Sequence, residues 1–295
     1  MGATLTGVVV AAYGRQYRVE LDDRSSILCH PRGKKSLLAC GDRVSVAPAA
    51  PGQGIITGFE PRHTLLYRSD AYRQKLIAAN ATQIVVVVAV EPSFGTELIS
   101  RCLAAAAQQS MAAVVVLNKI DIADGLEQAR AQLRVFANAG YPVVELSARD
   151  DVQALRPHLA GRLSVLVGQS GMGKSTLINA LAPGANAETR EISTALDTGK
   201  HTTTLSRLYR LDDTSGIIDS PGLQEFGLAH LTTADLEAAF VEFLPYLGHC
   251  RFRDCRHDSE PDCAIIHAAE AGAITRLRLQ HYQNIRRAVS DSARR

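Results

Sequence analysis

The sequence predicts a multidomain chain: a small N-terminal β-barrel, an α/β domain on a mainly parallel sheet, and a C-terminal α-helical, metal-binding domain. Three observations predict it. Short β-like runs separated by turn residues fill positions 1–62. From position 79 apolar strands alternate with amphipathic helices, the pattern of a doubly wound sheet. From 229 onward the sequence turns helical around a cluster of Cys and His. Domain boundaries are expected at 1–62, 63–228 and 229–295.

The 295 residues leave room for two or three domains, and 46% hydrophobic with 21% charged residues suits a soluble globular protein. A net charge of +2 neither demands nor excludes a nucleic-acid partner, while the lack of Trp argues against a broad base-stacking surface. The apolar run at 8–12 is too short to span a bilayer and has no basic stretch before it, so no signal peptide is expected; 85–90 reads as a buried strand. Cys29, Cys40 and Cys102 are scattered, whereas Cys250, Cys255 and Cys263 cluster beside His. Clustering beside His favours metal over disulfides and a reducing compartment. A cytoplasmic monomer without membrane contact is expected.

In the barrel segment, strand-like runs at 6–12, 16–21, 26–30, 43–47 and 54–60 are separated by turns such as Tyr13-Gly14 and Gly41-Asp42. Five short strands suggest a small closed barrel, either of the oligonucleotide-binding (OB) or of the SH3-like kind. Arg15, Arg18, Arg24, Arg32, Lys34 and Lys35 punctuate its loops. They form either a solvated rim or a patch for an RNA backbone. Residues 61–75, with Arg62, His63, Arg68, Arg73 and Lys75, read as a basic connector.

The α/β domain reads as strands at 84–90, 112–117, 141–146, 163–167, 205–211 and 216–218, with helices at 93–109, 123–139 and 151–160. The fourth strand leads into Gly168-Gln169-Ser170-Gly171-Met172-Gly173-Lys174-Ser175-Thr176. A strand, a glycine loop ending in Gly-Lys-Ser and a helix together form the context of a phosphate-binding P-loop. Glycines let backbone N–H groups turn inward toward phosphate oxygens, and the helix start adds its positive end. Lys174 would reach the β- and γ-phosphates and Ser175 would ligate Mg²⁺.

Asn118-Lys119-Ile120-Asp121 follows the second strand, at the ligand-binding edge of such a sheet. The Asp121 carboxylate can accept from guanine N1–H and N2–H₂ together, a donor pair adenine lacks. Asn118 either bonds the base edge or ties its loop to the P-loop. The Lys119 stem can lie over the ring, and the N–H of Ala148, after Ser147, can donate to guanine O6. Asp219-Ser220-Pro221-Gly222 would hold Mg²⁺ through Asp219 and meet the γ-phosphate through the Gly222 N–H. Between them lies Thr198-Gly199-Lys200-His201-Thr202-Thr203-Thr204. Thr203, with Thr202 as the alternative, would reach Mg²⁺ when the γ-phosphate is present. Leu223 follows Gly222 where Ras-like switches place a Gln that orients water, so His201 is expected to position the attacking water.

Cys250-x4-Cys255-x-His257-x5-Cys263 supplies a Cys₃His set for one closed, structural Zn²⁺. His257 is preferred over His249 and His267 because it sits inside the loop. Arg251, Arg253 and Arg256 aim positive charge at whatever this loop meets. The long helix expected at about 264–288 is followed and flanked by arginines up to Arg295.

The base-recognition motifs precede the P-loop, the switch loop and Asp-x-x-Gly, whereas in Ras-like chains the P-loop comes first. The order implies a circularly permuted GTPase domain, with the switch segment coupled to the C-terminal domain. On these motifs, over nearly its whole length, the chain resembles the ribosome small-subunit-dependent GTPase A family (RsgA, also called YjeQ). The resemblance implies GTP hydrolysis with Mg²⁺, stimulated by the small (30S) ribosomal subunit, a role in late maturation of that subunit, and an OB barrel contacting its rRNA. The family's Gly-x-His-Thr-Thr is matched by Gly199 to Thr203. Met172 replaces a smaller apolar residue, and the start close to the first barrel strand implies no basic N-terminal extension and weaker RNA affinity. Two other readings remain: a permuted GTPase acting on the large subunit, and a zinc-stabilised RNA-binding module that GTP only toggles. A kinase would need an acceptor site, and none is evident.

Overall fold

The structure, a computed structural model, describes residues 4–33, 38–69, 74–185, 187, 206–220, 228 and 231–293. Five strands form the barrel: β1 (Leu5–Tyr13), β2 (Gln16–Leu21), β3 (Ser26–Pro31), β4 (Arg43–Ala50) and β5 (Gln53–Phe59). Alternation places Val9, Tyr17, Val19, Cys29, Val44, Val46 and Ile56 in one small core. The strands run in the order β1-β2-β3-β5-β4, and β1 also pairs with β4, so the sheet closes. β3 and β5 are parallel and the other barrel pairs antiparallel, the Greek-key closure of an OB barrel rather than an SH3-like one.

The expected basic connector contains instead a hairpin, β6 (Leu65–Ser69) with β7 (Gln74–Ala79). Its charged residues obscured the two-residue alternation that Leu66 and Ile77, both buried, reveal in three dimensions. The barrel closes onto this region through Asp42, which is fully buried and accepts from Arg62 Nε and Nη2 at 2.7 Å each. Its carboxylate also receives the Ala39 N–H at 2.7 Å.

The α/β domain contributes β8 (Gln83–Ala89), β9 (Ala112–Asn118), β10 (Val143–Glu145), β11 (Leu163–Val167), β12 (Ser206–Arg210) and β13 (Gly216–Asp219). Their order is β10-β9-β8-β11-β13-β12, parallel except for β12. Every residue of β8 is buried, as a central parallel strand requires. Helices α1 (Thr96–Gln108), α2 (Leu126–Asn138), α3 (Arg156–Leu159) and α4 (Lys174–Leu181) connect the strands. The helix expected at 151–160 is a 3₁₀ turn, Gln153–Leu155, followed by only the short α3. Pro157 fits only within a helix's first turn, so the helix starts late. β12 also pairs with β1, joining barrel and α/β sheet into one eleven-stranded surface.

The C-terminal part holds α5 (Thr233–Ala239), a 3₁₀ segment Val241–Tyr246, α6 (Ala264–Glu270) and α7 (Arg276–Ala293). Thr232 caps α5 in a reciprocal pair with Asp235. The single long helix expected here is two, because Gly272 turns the chain at φ +80° between them.

Candidate functional site

The C-terminal ends of β8, β9 and β11 meet at one corner, where an open parallel sheet presents its ligand crevice. Asn118, 1% exposed at the end of β9, organises it. Its Nδ2 donates to Met172 O at 2.9 Å. Its Oδ1 accepts from Lys119 N at 2.8 Å and from Ala148 N at 2.9 Å. One amide therefore ties the base-recognition motif, the P-loop and the Ser147-Ala148 turn together. Of the two roles open to Asn118, the structure displays the tie to the P-loop. The Ala148 N–H, expected to meet guanine O6, already has Asn118 as its partner.

Gly173 opens α4 in the left-handed region, at φ +86°, and a Cβ there would run into Asn118 Nδ2. Only glycine fits that approach. Gly168 is equally confined, since its Cβ would collide with Val87 O. Met172 is 1% exposed and packs in the main core, so the larger residue is accommodated inward. Gln169 and Ser175 are half-buried, whereas Ser170, Gly171 and Asp121 lie exposed at the crevice mouth. Thr176 is half-buried in the first turn of α4.

Lys174 Nζ donates to the carbonyls of Gly168 and Gln169, at 2.7 and 3.0 Å. Burial lowers its pKa, opposed by the charge of Asp219. Burial likewise raises the pKa of Asp219, opposed by Lys174. Asp219 Oδ1 is buried with no hydrogen-bond partner. A buried, unpartnered carboxylate oxygen beside a P-loop is the donor a hard divalent cation takes, so Asp219 and Ser175 fit Mg²⁺. His201, Thr203 and Gly222 lie outside the described residues.

In the C-terminal part, one ligand atom each from Cys250, Cys255, His257 and Cys263 gathers within 4.8 Å. Cys250 Sγ lies 3.8 Å from Cys263 Sγ and 3.6 Å from His257 Nδ1. Tetrahedral Zn–S and Zn–N bonds require edges of about 3.8 and 3.5 Å, so this donor set fits zinc. Glu237 Oε1 stands 3.5 Å from His257 Nε2 and accepts from Tyr282 OH at 3.3 Å, an orienting outer layer.

On the barrel, Arg15, Arg18 and Arg32 are exposed, while Arg24 is held by Glu20 and Asp213 at 3.2 and 2.7 Å. Lys34 and Lys35 lie outside the described residues. Among the described residues no helix is long and apolar enough to cross a membrane.

A family model of the RsgA GTPase matches residues 59–229. The chain is 50% identical over 294 residues to the small ribosomal subunit biogenesis GTPase RsgA of Nitrosomonas europaea, covering 99% of this chain and 94% of that protein. It belongs to the RsgA GTPase family. The protein of the same name from Bordetella pertussis is 50% identical over 283 residues, 95% of this chain and 94% of the relative. Among solved structures, YjeQ from Thermotoga maritima superposes with a TM-score of 0.76 at 30% identity, covering 98% of this chain and 99% of its own. YloQ, titled a circularly permuted GTPase, superposes at 0.70 with 23% identity over 98% of this chain and 96% of its own, and supports the fold alone. The permuted RsgA arrangement accounts for the motif order: the strand bearing Asn118 precedes the P-loop strand in sequence yet lies in the same sheet.

Sequence reasoning missed two features of this RsgA corner. The Glu91 carbonyl accepts from Lys119 Nζ at 2.7 Å, and Pro92 lies against the P-loop at Gly171. Only the Pro after a buried strand hinted at a special turn there. Arg278, one of the arginines of the C-terminal helix region, is 1% exposed and lies against Ser100 and Phe136 of the α/β domain.

Proposed function

We propose that the chain hydrolyses GTP to GDP and phosphate and acts in late maturation of the small ribosomal subunit, with the subunit stimulating hydrolysis and hydrolysis driving release. The observation that carries it is the single Asn118 amide joining the guanine motif, the P-loop and the Ser147-Ala148 turn. Asp121 accepts from guanine N1–H and N2–H₂, and the Lys119 stem covers the ring. An ATP molecule would leave that carboxylate without its donors, a discrimination of about 2–4 kcal/mol.

The P-loop residues Gly168, Gln169, Ser170, Gly171, Met172, Gly173, Ser175 and Thr176 cradle the phosphates, and Lys174 exchanges its carbonyl partners for phosphate oxygens. Ser175, Asp219 and Thr203 hold Mg²⁺, with the Gly222 N–H toward the γ-phosphate. Bound Mg²⁺ would neutralise charge developing on the phosphate oxygens. His201 positions the water. Cys250, Cys255, His257 and Cys263 hold one structural zinc. Exposed Arg15, Arg18 and Arg32 make the barrel an rRNA-contacting surface. The protein works as a cytoplasmic monomer, divided at 1–62, 63–228 and 229–295.

The test is the GTPase rate with and without purified small subunits, with large subunits as control. Strong stimulation by small subunits alone is expected; equal rates in all three conditions reject the ribosomal role. Replacing His201 by Ala is expected to leave GTP affinity nearly intact and to cut turnover roughly tenfold or more. Unchanged turnover rejects its role.

A further inference from the structure

The connection between β8 and α1 touches the nucleotide corner at several points. Val90 N donates to Asn118 O at 3.1 Å. Glu91 O holds Lys119 Nζ, and Pro92 stands where a Cβ on Gly171 would meet its Cδ at 3.3 Å. Lys119 itself sits in the left-handed region at φ +63°, a conformation that needs outside support in a lysine. At Gly95 the connection becomes the N-terminus of α1.

The other end of this contact chain is the zinc module. Thr96 and Ser100, one turn apart on α1, face His281 of α7. Ser100 Oγ is 2.8 Å from His281 Nδ1, and Thr96 Oγ1 is 3.2 Å from Nε2. Arg278 Nη1 donates to Ser100 Oγ at 2.7 Å, and Asn284 Nδ2 donates to Glu97 Oε2 at 3.0 Å. Ser100, Arg278 and His281 are at most 4% exposed. Burial and the Arg278 charge hold His281 down to about 4, so it is neutral at pH 7. Neutral His281 donates through one ring nitrogen and accepts through the other, and in either tautomer Ser100 Oγ accepts from Arg278. Two residues on, Gln283 Nε2 donates to the carbonyl of His257, a member of the cysteine-histidine cluster, at 2.8 Å.

We propose that the seam between α1 and α7 holds the 90–95 connection against Lys119 and the P-loop, so that docking of the zinc module sets how fast guanine nucleotide leaves. This rests on the nucleotide-binding reading above. Pro92, Ser100 and His281 are its positioning residues. A continuous run of packed and hydrogen-bonded contacts is the physical requirement for such coupling, and α1 supplies a stiff rod between its ends. Faster release at an unchanged association rate is weaker binding, and for binding the coupling is reciprocal: a partner that draws the zinc module from α1 weakens nucleotide affinity, and bound nucleotide tightens the seam.

Release of a fluorescent GDP from the full, zinc-loaded chain tests it. Ser100→Val is expected to speed release about fivefold. Zinc stays at one equivalent, and single-turnover hydrolysis with the protein in excess over GTP stays within about twofold of the parent. Thr96→Val, which removes the outer partner of His281, is expected to act in the same direction and serves if Ser100→Val does not fold. Pro92→Ala is also expected to speed release. The Ser100→Val/Pro92→Ala pair should release no faster than its faster single variant, because both changes cut one route. Release at the parent rate in zinc-retaining Ser100→Val or Thr96→Val chains overturns the proposal, as does a double variant showing the full product of both effects. Normal GDP release from a parent chain that hydrolyses no GTP would sink the hydrolase reading and leave this relay standing.

Discussion

On the barrel side, β1 continues the sheet by pairing with β12, so the join is made largely of main-chain hydrogen bonds. Apart from the buried Asp42–Arg62 pair at the barrel's exit, the side-chain supplements at the β1–β12 contact, Arg24–Asp213 and Arg210–Glu20 at 2.7 and 2.9 Å, are partly solvated. On the zinc side, no strand crosses between the described domains, and buried side chains make the join. Arg278 lies 4.2 Å from the Phe240 ring centroid and 5.4 Å from that of Phe136, with Glu242 as its ionic partner. A backbone join is indifferent to most single side-chain changes, because every residue type brings the same N–H and C=O. A buried polar join depends on each member, since losing one strands the others without water.

The largest expected effect breaks the zinc side outright. Cys263→Ser, or prolonged chelation, is expected to unfold the C-terminal domain, since structural zinc in small domains contributes on the order of 10 kcal/mol. Zinc content and amide exchange over 231–293 report it; a chelated chain retaining full protection there refutes the assignment of a structural metal. Next, Arg278→Ala leaves the partly buried Glu242 beside an empty guanidinium site and is expected to cost about 3 kcal/mol in denaturant unfolding. A cost under about 1 kcal/mol would mean that the seam is ordinary surface.

A smaller effect comes from pH. Arg278, Arg101 and Glu97 act on His281, the two arginines opposing its charge and Glu97 favouring it, with burial as the largest influence. Its folded-state pKa, about 4, lies below the ordinary 6.5, so the unfolded chain binds its proton more readily. The seam's stability is therefore full above pH 6.5 and declines as pH falls toward 4. Exchange protection of α7 followed between those values checks this, and His281→Gln should flatten the profile. The smallest effect belongs to the barrel: Arg24→Ala is expected to cost about 1 kcal/mol or less. A larger loss would show that side chains, and not the β1–β12 ladder, carry that join.

The strands of the α/β domain were legible because buried parallel strands such as β8 are unbroken apolar runs bounded by helices. The P-loop and the Asn-Lys-x-Asp motif stood out because the phosphate and guanine contacts expected of them each demand fixed residue types at short spacing, and the structure brings the two motifs together through Asn118. The Cys₃His set was legible for the same reason. The β6–β7 hairpin was not, because its charges read as a connector. The arginines of the C-terminal helix were read together as a tail, although Arg278 is buried and Arg287 is about half-exposed beside Asp258. Nothing local separates them: a helix periodicity assigns a face, while the partner covering that face comes from far away in the chain.

The sequence by itself determined the chemistry that neighbouring residues can supply: a glycine loop suited to phosphate, a carboxylate suited to guanine, and three thiolates with an imidazole within fourteen positions. Only the tertiary structure decided which distant residues share an environment. It placed Asn118 against Met172 and Ala148, Pro92 against Gly171, and Ser100 against Arg278 and His281. The physical reason is one of range. Motif chemistry is written in short spacings that the chain's covalent geometry fixes, whereas burial and partnership depend on how whole elements pack, which short spacings do not encode.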